Sequence, residues 1–141
     1  MARNGSAGPD DCIFCDIVGH KAPAHVVYED PQAIAFLDLF PFTRGHLLVV
    51  PKKHIPRLTD LPSAEYAGYM QALTNVCQRV ERLSKDYNIA MNQGAAAGQI
   101  VFHLHFHVIP RYGEKNPFLS TPRTRIVDDD ARRIVAALSA G

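Results

Sequence analysis

Three of the chain's seven histidines stand at alternate positions, His103, His105 and His107, in the run "QIVFHLHFHVIPRY". Side chains alternate faces along a strand, so this spacing predicts Phe102, Leu104, Phe106 and Val108 on a core face. The three imidazoles then share the other face with Ile109, about 6.6 Å apart at two residues per step. Two chemistries suit such a row. His103 and His105 can chelate one metal ion. Alternatively, one imidazole attacks an electrophile while its neighbours orient it and protonate the leaving group. The segment just upstream, "NQGAAAGQI", bears on the choice. Gly94 and Gly98 permit close backbone approach and offer N–H groups to an anion, and Asn92 and Gln99 add neutral donors. Donors of this kind suit a phosphate, and an imidazole beside a phosphate is a phosphoryl-transfer arrangement. The sequence has no Walker lysine motif and no magnesium-binding acid cluster.

A second group begins with Cys12-Ile13-Phe14-Cys15. On a short helix, positions i and i+3 share a face. Two thiolates and two imidazoles make a closed tetrahedral site of the zinc type, with His54 and His103 as the candidate histidines. The plain alternative is a turn carrying two thiols. Cys77 lies on the core face of the longest helical pattern and reads as packing, and His20 and His25 read as loop and strand-edge residues.

These side chains need a scaffold. "HVVYED" and "AIAFLDL" read as strands joined at Asp30-Pro31, a turn signal that makes a hairpin. "HLLVVPKK" is a third strand, "YNIAMNQ" a fourth, and the histidine run a fifth that should stop near Pro110. Asp11 can N-cap a short helix over "CIFCDIV" that Gly19 ends. From Pro62 to Lys85 apolar residues recur at three- and four-residue spacing (Tyr66, Tyr69/Met70, Leu73, Val76/Cys77, Val80, Leu83), a helix with Pro62 in its first turn. A last helix is predicted from Asp128 to Ser139. The expected fold is α+β: an antiparallel sheet of about five strands with one long helix packed on it.

The chain's 141 residues suffice for one domain. The divisions are a disordered tail over 1–11, the domain proper over 12–112, and an extension over 113–141. A net charge of +1 without a basic patch argues against nucleic acid as a partner. No apolar run reaches the roughly 20 residues of a membrane helix. The start, "MARNGSAGPDD", lacks the apolar core of a signal peptide, so the expected compartment is the cytoplasm.

"HLHFHVIPR" resembles the His-x-His-x-His-x-x signature of the histidine triad (HIT) superfamily of nucleotide hydrolases and transferases. "CIFCDIV", "VVYED", "AIAFLDLFPFTRGHLLVVPKKHI" and "NQGAAAGQIVFHLHFHVIPRY" resemble further blocks of that family, in its order, over about residues 12–112. The resemblance implies a homodimer of α+β protomers, each with a site for a purine nucleoside monophosphate, adenylate first among them. It makes the middle histidine, His105, the nucleophile that attacks the α-phosphorus. His107 then contacts the phosphate and helps hold His105, and His46 supports the triad beside His103. Asn92, Gln99 and the Gly98 backbone match phosphate or leaving-group contacts. Asp38 matches the carboxylate that receives the ribose hydroxyls, with capping of the turn through "LFPFTRG" as its plain alternative. Ile13, Phe14, Ile17, Phe36 and Leu39 fall where the family holds the base between apolar walls. A subgroup of the family carries Cys12, Cys15, His54 and His103 as zinc ligands. "CIFCDIV" leans toward the Hint-like branch, which cleaves phosphoramidates, over the Fhit-like branch, which cleaves dinucleoside polyphosphates. A nucleotide-binding scaffold with weak activity, and a hydrolase using the three histidines around one catalytic metal, are the competing classes. Ile100 departs from the Ser or Thr of many relatives and removes a hydroxyl from the leaving-group side.

Overall fold

The computed structural model describes residues 11–116, 119 and 122–139. Nearly all of the expected N-terminal tail therefore lies outside the described residues. Five strands, β1 (Val26–Glu29), β2 (Ala33–Leu37), β3 (Leu47–Pro51), β4 (Tyr87–Ala90) and β5 (Phe106–Pro110), form one sheet in the order β1-β2-β3-β5-β4. Every neighbouring pair is antiparallel. Among the described residues the helices α1 (Ile13–Val18), α2 (Tyr66–Val80) and α3 (Asp128–Ser139) accompany them. The α+β architecture expected from the residue pattern is the one observed.

The β1–β2 hairpin turns on Asp30, whose Oδ1 accepts the N–H groups of Gln32 and Ala33 at 2.7 and 2.8 Å. Such a side chain replaces strand partners at the point where the backbone must reverse. Along β2 and β3 the alternation is strict and both faces are covered. Ala33, Ala35, Leu47 and Val49 join Tyr69, Leu73, Val76 and Val80 of α2. Ile34, Phe36, Leu48 and Val50 join Phe14 and Ile17 of α1. Covering both faces explains why these strands read as continuous apolar runs. Small alanines on one face of β2 let α2 approach closely, and the larger residues on the other meet the short α1.

Several sequence expectations need correction. The N-cap of α1 is Cys12, not Asp11; its sulfur accepts the Cys15 N–H at 3.3 Å. Gly19 does end the helix, but the left-handed residue is His20, with φ 60°. The long helix is α-helical only from Tyr66 to Val80, after a 3₁₀ turn at Ser63–Glu65. Tyr66, Met70 and Leu83, assigned to its core stripe, are exposed. The fourth strand stops at Ala90. Most important, β5 is only five residues long, so His103 and His105 precede it. On one side the partner stops, since β4 ends at Ala90 opposite His107; on the other the ladder ends with Val49 opposite Phe106, although β3 itself continues to Pro51. The chain upstream of Phe106 is held by other bonds, among them Leu104 N–H to the Ile55 carbonyl.

β3 enters the sheet through Gly45, whose φ of 90° suits glycine alone. A Cβ there would lie 2.5 Å from Leu83 Cδ1 and 3.4 Å from Pro110 Cγ. Gly45→Ala should therefore destabilise the fold by about 1–3 kcal/mol, from backbone strain together with overpacking. Denaturant titration of the purified variant checks this, and an unchanged midpoint would contradict it.

Candidate active site and metal centre

The histidines divide between two adjoining clusters. His103 is fully buried and points at the cysteines: its Nδ1 lies 3.4 Å from Cys12 Sγ and 3.5 Å from Cys15 Sγ. His54 Nδ1 lies 3.2 Å from Cys15 Sγ. One ligand atom from each of Cys12, Cys15, His54 and His103 falls within 4.8 Å of every other. A tetrahedral ion with metal–sulfur and metal–nitrogen bonds of about 2.3 and 2.0 Å needs sulfur–nitrogen edges of roughly 3.5 Å. The observed separations fit that figure without movement of the backbone.

Protonation fits as well. His103 Nε2 sits 2.7 Å from the Pro51 carbonyl, which can only accept, so the proton is on Nε2 and the Nδ1 lone pair faces the thiols. Burial holds His103 neutral, lowering its pKa to about 4. Burial first, then the Cys12 hydrogen bond and the nearby charge of Cys12 and Asp16, pushes the Cys15 thiol up to about 12. Two thiolates at this spot thus call for a cation. These four residues can hold a metal ion. Because both ring nitrogens of His103 are engaged, its ring belongs to this cluster, and it reaches His105 through its main chain.

That link is short. His105 Nδ1 lies 2.7 Å from the His103 carbonyl. The carbonyl fixes the proton on Nδ1 and leaves the Nε2 lone pair free. Burial lowers the His105 pKa to about 4, so the ring is neutral near pH 7. Its neighbours are Phe14, with ring centroids 5.1 Å apart, and His107, at 4.9 Å. His107 Nδ1 meets His46 Nε2 at 3.0 Å. Burial also lowers the pKa of both His46 and His107.

Asp38 closes the cluster. One carboxylate oxygen accepts the Phe40 N–H at 2.8 Å, and the other lies 3.6 Å from His46 Nε2. It therefore caps the turn while facing the histidines. Phe14 and Phe36 meet edge to face at 5.5 Å, Ile17 is buried with them, and Ile13 packs alongside. Leu39 stands apart, exposed beyond the end of β2. In the glycine loop, Gly98 is left-handed, with φ 93°, and Asn92 Nδ2 approaches its carbonyl at 3.5 Å. Gln99 is buried and spends its amide inside the loop, accepting from Gly94 N–H and donating to the Pro56 and Val101 carbonyls.

Residue types alone missed Phe42 and Pro51. The Phe42 backbone N–H donates to His46 Nδ1, and its ring stacks on that imidazole. The spacing of Phe42, four residues before a buried histidine within a tight loop, was the one available signal. Cys77 is buried on α2, as expected of a packing residue. Among the described residues no helix is long and apolar enough to cross a membrane.

The HIT domain profile matches residues 20–114. The adenylylsulfatase HINT3 of Arabidopsis thaliana is 36% identical over 72% of this chain and 53% of its own length. The crystal structure of a HIT family member from Bacillus subtilis superposes with a TM-score of 0.81 at 35% identity, covering 92% of this chain and 95% of that one. A Zn-bound histidine triad protein of Mycobacterium smegmatis is 42% identical, with a TM-score of 0.65, covering 94% and 96%.

The four-ligand cluster makes a direct expectation. Cobalt(II) added to metal-free protein should bind at about one equivalent per chain, with the intense absorption of tetrahedral thiolate coordination. Cys15→Ser should weaken the sulfur-to-metal band and lower thermal stability together. An octahedral, weakly absorbing spectrum in the unaltered protein would show that these four groups do not converge on one ion.

Proposed function

The chain belongs to the HIT domain family, and on that premise we propose that it removes a nucleoside 5′-monophosphate, adenylate above all, from a phosphoramidate-type leaving group through a nucleotidyl-His105 intermediate. The observation that carries this reading is the His105 tautomer. With Nδ1–H held by the His103 carbonyl and the pKa lowered to about 4, Nε2 is a free nucleophile at neutral pH.

In the proposed reaction the Nε2 lone pair forms a bond to the α-phosphorus. The bond from phosphorus to the leaving group breaks, and its electron pair departs with that group, which takes up a proton. Nucleotidylation makes the imidazole cationic, and the Nδ1–H bond to the carbonyl strengthens as that charge develops. Water then attacks phosphorus, the nitrogen–phosphorus bond breaks, and His105 returns to its starting tautomer. His107 supports the phosphoryl oxygens. Asn92 and the Gly98 backbone lie on the phosphate side, whereas Gln99 contributes by bracing the loop. Asp38 receives the ribose hydroxyls with the lone pairs its turn contact leaves free. Phe14, adjoining His105, forms the base wall with Ile13, Ile17 and Phe36, and Leu39, which stands apart from them, is left out of it. The adenylyl group in the name of the Arabidopsis relative favours an adenylate conjugate.

We assign zinc to the Cys12, Cys15, His54 and His103 cluster, supported by the donor set and by the zinc-bound mycobacterial relative. Four protein ligands leave no position for water, so the ion is structural.

The test is a comparison of substrates on one enzyme preparation. Adenosine 5′-phosphoramidate should turn over with higher kcat/KM than diadenosine polyphosphates. His105→Asn should lose about 10⁴-fold or more in kcat while still binding AMP. Retention of activity within about tenfold would remove His105 as nucleophile, and preference for the dinucleotide would replace the leaving-group assignment.

A further inference from the structure

His46 is buried, and its two ring nitrogens meet different partners. Nδ1 receives the Phe42 backbone N–H at 3.0 Å. A backbone amide can only donate, so Nδ1 carries a lone pair and the neutral ring has its proton on Nε2. That nitrogen lies 3.0 Å from His107 Nδ1, the nearer of its two acceptors, and 3.6 Å from an Asp38 oxygen. When His46 Nε2–H donates to His107 Nδ1, His107 must accept there and hold its own proton on Nε2. The opposite wiring, with His107 Nδ1–H donating to His46 Nε2, would require a proton on His46 Nδ1. That proton would collide with the Phe42 N–H.

From this geometry we infer that Phe42 is a positioning residue. Its backbone amide sets the tautomer of His46 and, through it, that of His107, so that His107 presents Nε2–H to the phosphoryl group and leaving group. Two adjacent imidazoles then have opposite tautomers. His105 offers a lone pair at Nε2 because a carbonyl holds its Nδ1–H. His107 offers a proton at Nε2 because its Nδ1 is made to accept. One main-chain acceptor and one main-chain donor sort nucleophile from hydrogen-bond donor.

The Phe42 ring reinforces the arrangement. It lies nearly parallel to the His46 imidazole, 10° between planes and 5.4 Å between centroids, although the residue is 71% exposed. An aromatic ring this exposed owes little to core packing, and the imidazole is its aromatic partner. Besides His107, the charged and titratable groups acting on His46 are the Asp38 carboxylate, Arg111 and His105. A second proton on His46 would favour Asp38 but break the amide contact, and burial opposes that charge further.

The inference uses the proposed hydrolase function only for its kinetic arm; ring tautomers are read without substrate, so the two can fail separately. Nitrogen-15 NMR of the unaltered protein should show His46 and His107 each protonated at Nε2 and bare at Nδ1. A proton on His107 Nδ1 would overturn the inference whatever the enzyme's substrate. Replacing Phe42 with its α-hydroxy acid analogue turns the amide N–H into an ester oxygen and keeps the ring. That change should mix the tautomers of both histidines. It should lower kcat roughly 10- to 100-fold, part of the range for a positioned proton donor, with KM within about threefold. Phe42→Ala keeps the amide and should keep both tautomers. Unchanged tautomers in the ester protein, or kcat within about twofold of the unaltered enzyme, would overturn the role of the amide. Equal tautomer mixing in Phe42→Ala would move that role to the ring and overturn it as well.

Discussion

The carbonyl of His103 joins the two halves of the site. Its residue gives a ring nitrogen to the cysteine cluster, while its main-chain oxygen takes the proton of His105 Nδ1 at 2.7 Å. Such a bond contributes only about 0.5–1.5 kcal/mol to stability. Its larger effect is on chemistry, because it decides which nitrogen of His105 has a lone pair. Any shift of the 103–105 segment would change both the approach of the His103 ring to the thiols and the contact that fixes the His105 tautomer.

The sheet supports this link by ending where it does. Pro51 closes β3 without a ladder donor and gives its carbonyl to His103 Nε2 instead. The segment before Phe106 is therefore free of strand pairing and can aim one imidazole at the cysteines and the next toward Phe14 and His107. A regular strand would have put His103 and His105 on the same face, and one ring could not then meet the thiols while the other stayed clear of them. On the far side of the cluster, Gly45 lets the chain reverse into β3, which places His46 beside His107. The short α1 and its N-cap bring Cys12 and Cys15 to His54 and His103, and set Phe14 against His105.

Much of this was legible in the sequence. The continuous apolar run Leu47–Val50 and the three- and four-residue period over Tyr69–Val80 follow from burial, and burial leaves a residue-type signature. The clustering of Cys12 and Cys15 with His54 and His103 was legible through the family resemblance, since a C-x-x-C alone is a weak signal. The strand through His103 was misread because apolar alternation persists there while the ladders to β3 and β4 stop at Phe106 and His107, and pairing is a non-local property. Tyr66 precedes the packed part of α2, and Met70, one residue on from buried Tyr69, turns to solvent. Gln99 illustrates a different limit. A glutamine amide can bind phosphate or brace a loop, and only its surroundings decide. The contacts of Phe42 N–H and the His103 and Pro51 carbonyls were illegible, since main-chain groups are common to nearly every residue.

The central claim is that His105 attacks through Nε2 because a carbonyl occupies the other side of its ring. The most direct measurement is to trap the intermediate. Adenosine 5′-phosphoramidate is mixed with enzyme, the reaction is quenched in alkali within milliseconds, and the adduct is located by peptide mass spectrometry and its linkage read by NMR. The account requires adenylate on His105, bonded through Nε2. An adduct on His107, or one bonded through Nδ1 of His105, would contradict it.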